Sequence, residues 1–238
     1  MKRIKANNLK YTHYGAAFLL LACIAMVYPT FSHAQEYRGH ESIIESAIVR
    51  DREERFYHWI RQAFDDADTI RRSTNPKIKV WRDSIAGLQQ ELKDSPRTAL
   101  EKINIATNRL VPYKSDTEVY NQSDYWSAPV KTLLHGGDCE DFALLNAIAL
   151  TLNGWPADKM HILIGYATIE GRRQPHAALQ VETAEGRFVL NNMNNRVADF
   201  AESGIEIVYM IDSRGAIIFP ETHSALINPA AASTSGRQ

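Results

Sequence analysis

The chain has 238 residues, 45% of them hydrophobic and 23% charged, with a formal net charge of −1. That is enough for one domain with a substantial core. The balance is mildly acidic once the leader described below is removed, and without a basic stripe that argues against nucleic acid as the partner.

Lys2, Arg3, Lys5 and Lys10 precede an apolar run from Gly15 to Val27, too short for a comfortable membrane span. Ser32-His33-Ala34 supplies small residues at both cleavage-site positions. The pattern predicts an export signal over residues 1–34, cut before Gln35; an uncleaved anchor is the alternative. Removing it takes four basic and no acidic residues, leaving 23 against 28, a net charge of −5. It also takes Cys23, so Cys139 is the only cysteine of the mature chain. A lone thiol in an oxidising compartment cannot form a disulfide within its chain. It is either a buried inert residue or a nucleophile.

Residues 35–40 read as a flexible start. From Glu41 to Arg72 apolar residues recur at helical spacing: Ile43, Ile44, Ala47, Ile48, then Phe56, Trp59, Ile60 and Ala63. Ser73-Thr74-Asn75-Pro76 breaks this segment. A second helix is predicted over Lys77 to Lys93 with Val80, Trp81, Ile85 and Leu88 inward. A third runs from Ser95-Pro96 to Leu110, burying Leu100, Ile103, Ala106 and Leu110. Residues 111–127 read as a loop carrying Tyr113, Tyr120, Tyr125 and Trp126. These aromatics either wall a cleft or plug the core edge. Pro129 opens a short helical approach to the next stretch.

That stretch is Leu134-His135-Gly136-Gly137-Asp138-Cys139-Glu140-Asp141-Phe142-Ala143. Asp138 is a good N-cap type, which puts Cys139 in the first turn of a helix with Leu145, Ile148, Ala149 and Leu152 on one face. Asn153-Gly154 ends it. A thiol at a helix N-terminus feels the positive end of the dipole, which favours thiolate. Beyond it the period becomes two. Strands are predicted over 160–168, 176–183 and 187–190, the last two joined at Ala184-Glu185-Gly186, followed by a hairpin of 205–211 and 216–219. Helices first and an antiparallel sheet afterwards indicate an α+β fold. Residues 35–227 form the domain, and 228–238 read as a disordered tail.

A cysteine nucleophile needs a base, and the base needs an orienting group. His176 opens a strand where a helix N-terminus can meet it; His135 sits closer in sequence, on the glycine loop. A hairpin turning near residue 185 returns Asn191 or Asn192 towards His176. An asparagine carbonyl can accept the imidazole N–H, or these asparagines simply make a polar loop. Asp138 and Glu140 flank the thiol, and two carboxylates there oppose ionisation of the sulfur. A bound cation removes that objection, and hard oxygen donors suit calcium. The alternative is helix capping by Asp138 with Glu140 as a surface charge.

Tyr125-Trp126-Ser127-Ala128-Pro129, Gly136-Gly137-Asp138-Cys139-Glu140-Asp141-Phe142-Ala143, His176-Ala177-Ala178-Leu179 and Val189-Leu190-Asn191-Asn192 together resemble the bacterial transglutaminase-like cysteine proteinases. The similarity runs from about Ala99 to Phe219. It implies a papain-like, transglutaminase-like core with the sheet packed on the nucleophile helix. It implies Cys139 as nucleophile, His176 as base and Asn191 as orienter, where the family usually has aspartate. It also implies a calcium site on Asp138 and Glu140, with Asp141 a weaker candidate. By the same resemblance the protein is a periplasmic endopeptidase of the Lap type, cleaving a large surface adhesin in biofilm control. An inner-membrane cyclic-di-GMP receptor would restrain it. An acyl transferase or amidase with the same site, or a non-catalytic binding relative, are the alternatives.

Overall fold

The structure, a computed structural model, describes residue 54 and residues 56–218. The expected export signal, the part of the expected first helix before residue 54 and the expected tail fall outside the described residues.

Helix α1 (residues 56–72) buries Phe56, Ile60, Ala63, Ala67 and Ile70, a single 3.6-period stripe. Asn75 then caps α2 (Pro76–Ser84) by accepting the Lys77 N–H at 3.0 Å, with Pro76 in the first turn. The single helix expected over Lys77 to Lys93 is two. The backbone turns through Gly87 (φ +77°) before α3 (Glu91–Asp94). The inward stripe is Ile78, Trp81, Ile85 and Leu88; Val80 lies off it, 55% exposed, contrary to expectation. Helix α4 (Pro96–Leu110) buries Ala99, Leu100, Ile103 and Ala106. Leu110, its last residue, is 42% exposed, and Val111 takes the inward place. A short helix not expected from sequence, α5 (Asp116–Tyr120), is capped by Ser115 and Glu118. It is followed by α6 (Pro129–His135).

Helix α7 (Cys139–Leu152) begins and ends where its caps predict, at Asp138 and at Asn153-Gly154. Its burial exceeds the expected single face, because every residue from Glu140 to Leu150 is buried. The cause is its position, packed between α4, α6 and the sheet. Asn153 fixes its far end. The side chain accepts the Leu88 N–H and donates to the carbonyls of Ile85 and Ala149.

The sheet has six strands, all antiparallel to their neighbours, in the order β4-β3-β2-β1-β5-β6. They are β1 (Met160–Ile169), β2 (Arg172–Thr183), β3 (Gly186–Leu190), β4 (Ala198–Asp199), β5 (Ile205–Ile211) and β6 (Ile217–Ile218). Leu179, Val181, Phe188 and Leu190 join the main core under α7. Leu163, Ala178 and Val189 form a second cluster with Phe200 and Ile207. The β2–β3 turn falls at Ala184-Glu185 as expected. Between β1 and β5 the register slips at Ile164/Gly165, and a Cβ on Gly165 would overlap the Glu206 carbonyl. The α+β order, helices then antiparallel sheet packed on the central helix, is the one expected. Among the described residues no helix is long and apolar enough to cross a membrane.

Candidate active site

Cys139 is the first residue of α7, and the chain before it is held from two sides. Gly136 (φ +92°) passes so close to the Pro112 carbonyl that a Cβ would lie 2.6 Å from its oxygen. Gly137 bridges in parallel to Tyr113: its N–H donates to Pro112 O (3.3 Å) and its carbonyl accepts from Lys114 N (2.9 Å). On its other side a Cβ would overlap the Asp141 carboxylate. Asp141 is fully buried. It accepts the Ser127 N–H at 2.7 Å and the Asp138 N–H at 3.3 Å, tying the loop before α6 to the start of α7. The glycine pair therefore serves close packing around the mount of Cys139.

Cys139 opens into a cleft of about 700 Å³ that His176 also lines. His176 lies within β2, opposite Gly165 of β1, because β2 starts earlier than the periodicity indicated, at Arg172. Its ring is buried, and Nε2 has no hydrogen-bond partner. Burial pushes its pKa down to about 4, so it is neutral at pH 7 and able to take a proton. Asn191 follows β3 and is buried. Its Oδ1 accepts the N–H groups of Met193 (3.0 Å) and Asn194 (3.3 Å), which commits that oxygen to the loop. Asn108 of α4 holds the same turn by donating to the Asn191 carbonyl. Asn192 keeps a buried Oδ1 without a partner. His135 is exposed, and neither it nor His161 lines the cleft.

Trp126 both lines the cleft and plugs the core. It is buried, stacked on Trp59 at 5.1 Å and tilted on Phe56 at 5.0 Å. Tyr120 and Tyr125 pack on each other outside the cleft lining. Tyr113 stands at the rim. Partial burial, then the charges of Asp138, Cys139 and Glu140, raise its phenol pKa.

Burial, and then the charges around the sulfur, work against the helix dipole. The Cys139 thiol donates to Glu140 Oε2 at 3.2 Å. Burial first, then the Glu140 charge, push its pKa up, while a hydrogen bond with the Ala177 backbone works the other way. Glu140 is not a surface charge. It is buried against Asp138, and burial followed by the Asp138 carboxyl raises its pKa. Burial raises Asp141 to about 8 and Asp116 to about 6. Asp116 Oδ1 and Asp138 Oδ1 are buried and unpartnered. Among the described residues, three sets of side chains have donor atoms within 4.8 Å of one another: Asp138, Cys139 and Glu140; Asp116, Asp138 and Asp141; Asp116, Asp124 and Glu140. Sequence reading found Asp138, Glu140 and Asp141 and missed Asp116 and Asp124. Their only signal was an acidic loop about twenty residues upstream.

The family model for bacterial transglutaminase-like cysteine proteinases matches residues 82–215. The chain belongs to that family. Its members are transglutaminase-like cysteine proteinases. Among solved structures, Legionella pneumophila LapG in an EGTA-treated form is 26% identical, with a TM-score of 0.48, over 69% of this chain and 87% of that one. A second structure of Legionella pneumophila LapG is 25% identical, with a TM-score of 0.48, over 73% and 94%. A calcium-bound one is 24% identical, with a TM-score of 0.48, over 71% and 99%. No curated protein matches the chain.

Proposed function

We propose that this protein is an exported, calcium-dependent cysteine endopeptidase of the Lap type that cleaves a surface adhesin. Residues 1–34 direct export to the periplasm and 35–227 form the enzyme. An inner-membrane cyclic-di-GMP receptor is the proposed restraint. The observation that carries the reading is the shared cleft: Cys139, at the first turn of a fully packed helix, opens onto the same space as a buried imidazole with a free nitrogen.

Cys139 passes its proton to neutral His176, and the sulfur attacks a peptide carbonyl. The Ala177 backbone hydrogen bond steadies the thiolate. The Cys139 backbone N–H, unpaired at the helix start, faces the developing oxyanion. His176 then gives the proton to the leaving amine, and water resolves the acyl-enzyme. Asn191 is the proposed orienter of His176, which requires its amide to release one of the two loop N–H groups it now accepts. The acid cluster fits a hard cation, because two of its oxygens are buried without any partner. Asp138, Glu140 and Asp116 would hold calcium, with Asp124 and Asp141 beside them. Bound there, calcium supplies positive charge that offsets the carboxylates opposing thiolate formation.

Purified mature protein is incubated with adhesin fragments in calcium and in EGTA. Cleavage is expected in calcium, lost in EGTA and lost in Cys139→Ser with an unchanged circular dichroism spectrum. Retained cleavage in Cys139→Ser removes the nucleophile assignment, and an EGTA-insensitive rate removes the cation.

A further inference from the structure

Tyr113 is, at 64%, the most exposed large apolar side chain among the described residues, yet it is not loosely held. It lines the catalytic cleft, and its neighbours Pro112 and Lys114 are hydrogen-bonded to Gly137, two residues before the nucleophile. In extended backbone the polar groups of successive residues point to opposite sides. Pro112 and Lys114 spend theirs on Gly137. Tyr113 therefore turns its own N–H and carbonyl the other way, and neither has a protein partner among the described residues. The result is a one-strand edge with a free donor and acceptor, an aromatic ring beside them and a thiol next door.

We infer that Pro112–Lys114 is the strand that receives the substrate. An extended peptide pairs with the Tyr113 N–H and carbonyl, and its side chain beside the scissile bond lies on the Tyr113 ring. This rests on the peptidase reading and deepens it. A protease must hold its substrate extended, and pairing with a free edge supplies main-chain hydrogen bonds while an adjacent ring supplies side-chain preference. The strand is rigid through its bonds to the nucleophile's own mount, so a peptide registered on Tyr113 is registered on Cys139. Pinning matters here because reacting atoms must approach to near contact distance. A solitary exposed tyrosine is ordinary on a protein surface; one with an unpaired backbone edge on the lip of a catalytic cleft is placed for binding.

The test compares alkylation of Cys139 by two reagents with one warhead, in calcium. One is a tripeptidyl chloromethyl ketone pool with randomised side chains; the other is chloroacetone, which has no peptide. Their rate ratio cancels any change in thiol reactivity. The ratio is expected to be well above one in the wild type. It should fall about tenfold in Tyr113→Ala, the scale of one aromatic contact, and persist in Tyr113→Phe. N-methylation of the peptide backbone should lower it in the wild type as well. A ratio unchanged in Tyr113→Ala overturns the inference and leaves the peptidase reading standing, as does a wild-type ratio near one. Failure of chloroacetone to modify wild-type Cys139 overturns the nucleophile itself and this inference with it.

Discussion

Gly137→Ala tests whether the mount of Cys139 is set by close packing. The backbone at 137 is not in the left-handed region, so alanine meets no conformational penalty there. The whole cost comes from the new methyl, which would overlap the Cβ, Cγ and Oδ2 of Asp141. Asp141 is fully buried and must move, surrendering the N–H groups of Ser127 and Asp138. A buried donor left without its acceptor costs about 1–3 kcal/mol. With the Asp138 bond the longer of the two, the sum is about 3 kcal/mol. Asp141→Ala loses the same two bonds and should cost a similar amount. In the double variant the clash with Cγ and Oδ2 is gone and only the Cβ of residue 141 still crowds the new methyl, so it should cost about 4 kcal/mol rather than about 6, a coupling of about 2 kcal/mol. Gly154→Ala is the control: at φ +76° with open space around it, it should cost only about 1–2 kcal/mol of backbone strain. Urea unfolding of the four variants measures these values. Additivity of Gly137→Ala and Asp141→Ala to within about 0.5 kcal/mol would refute the packing account.

Three further outcomes are expected. His176, depressed by burial from 6.5 to about 4, is protonated first in the unfolded chain, so its contribution is intact above about pH 6.5 and lost as pH falls towards 4. The stability of His176→Gln relative to wild type should therefore rise by about 3 kcal/mol from pH 7 to pH 4; a flat difference in urea unfolding would contradict this. Asn153→Ala strands the Leu88 N–H and the Ile85 carbonyl in the core and should destabilise by about 3 kcal/mol. In a thermal melt that is a fall of about 6–12 °C, and a change under about 2 °C would show that the bridge carries little. Asn191→Asp can still accept both loop N–H groups and should keep or raise peptidase activity; a collapse in activity with normal folding would count against Asn191 as orienter.

Much of this was legible because it is local. The caps at Asp138 and Asn153, the hairpin at Ala184-Glu185 and the period-two strands are written in neighbouring residues. The errors lie where a distant partner decides. The break at Gly87 is held by Asn153, some sixty residues away, so a helical stripe alone ran straight through it. Val80 and Leu110 satisfied a loose apolar count, yet the true stripes pass through Ile78 and end at Val111. In the cleft, Cys139 was singled out by its motif, whereas His176 was reached through a strand start that the structure puts four residues earlier, at Arg172. The protonation balance was not legible. The helix dipole suggested an easily ionised thiol, but burial and Glu140 act more strongly at short range. Asp116 and Asp124 join the acid cluster only through the fold, by way of a helix too short to show a period.

The cleft draws its walls from residue 56 at one end of the described chain to residue 209 near the other. Such a site has no early partial form. A polypeptide halted before β5 has its sulfur and its imidazole but lacks the far wall, and one missing α1 loses the aromatic stack behind Trp126. Peptide-cutting capacity is therefore expected only once β5 has docked, and chains cut short before it are expected to be inert towards the proteins around them.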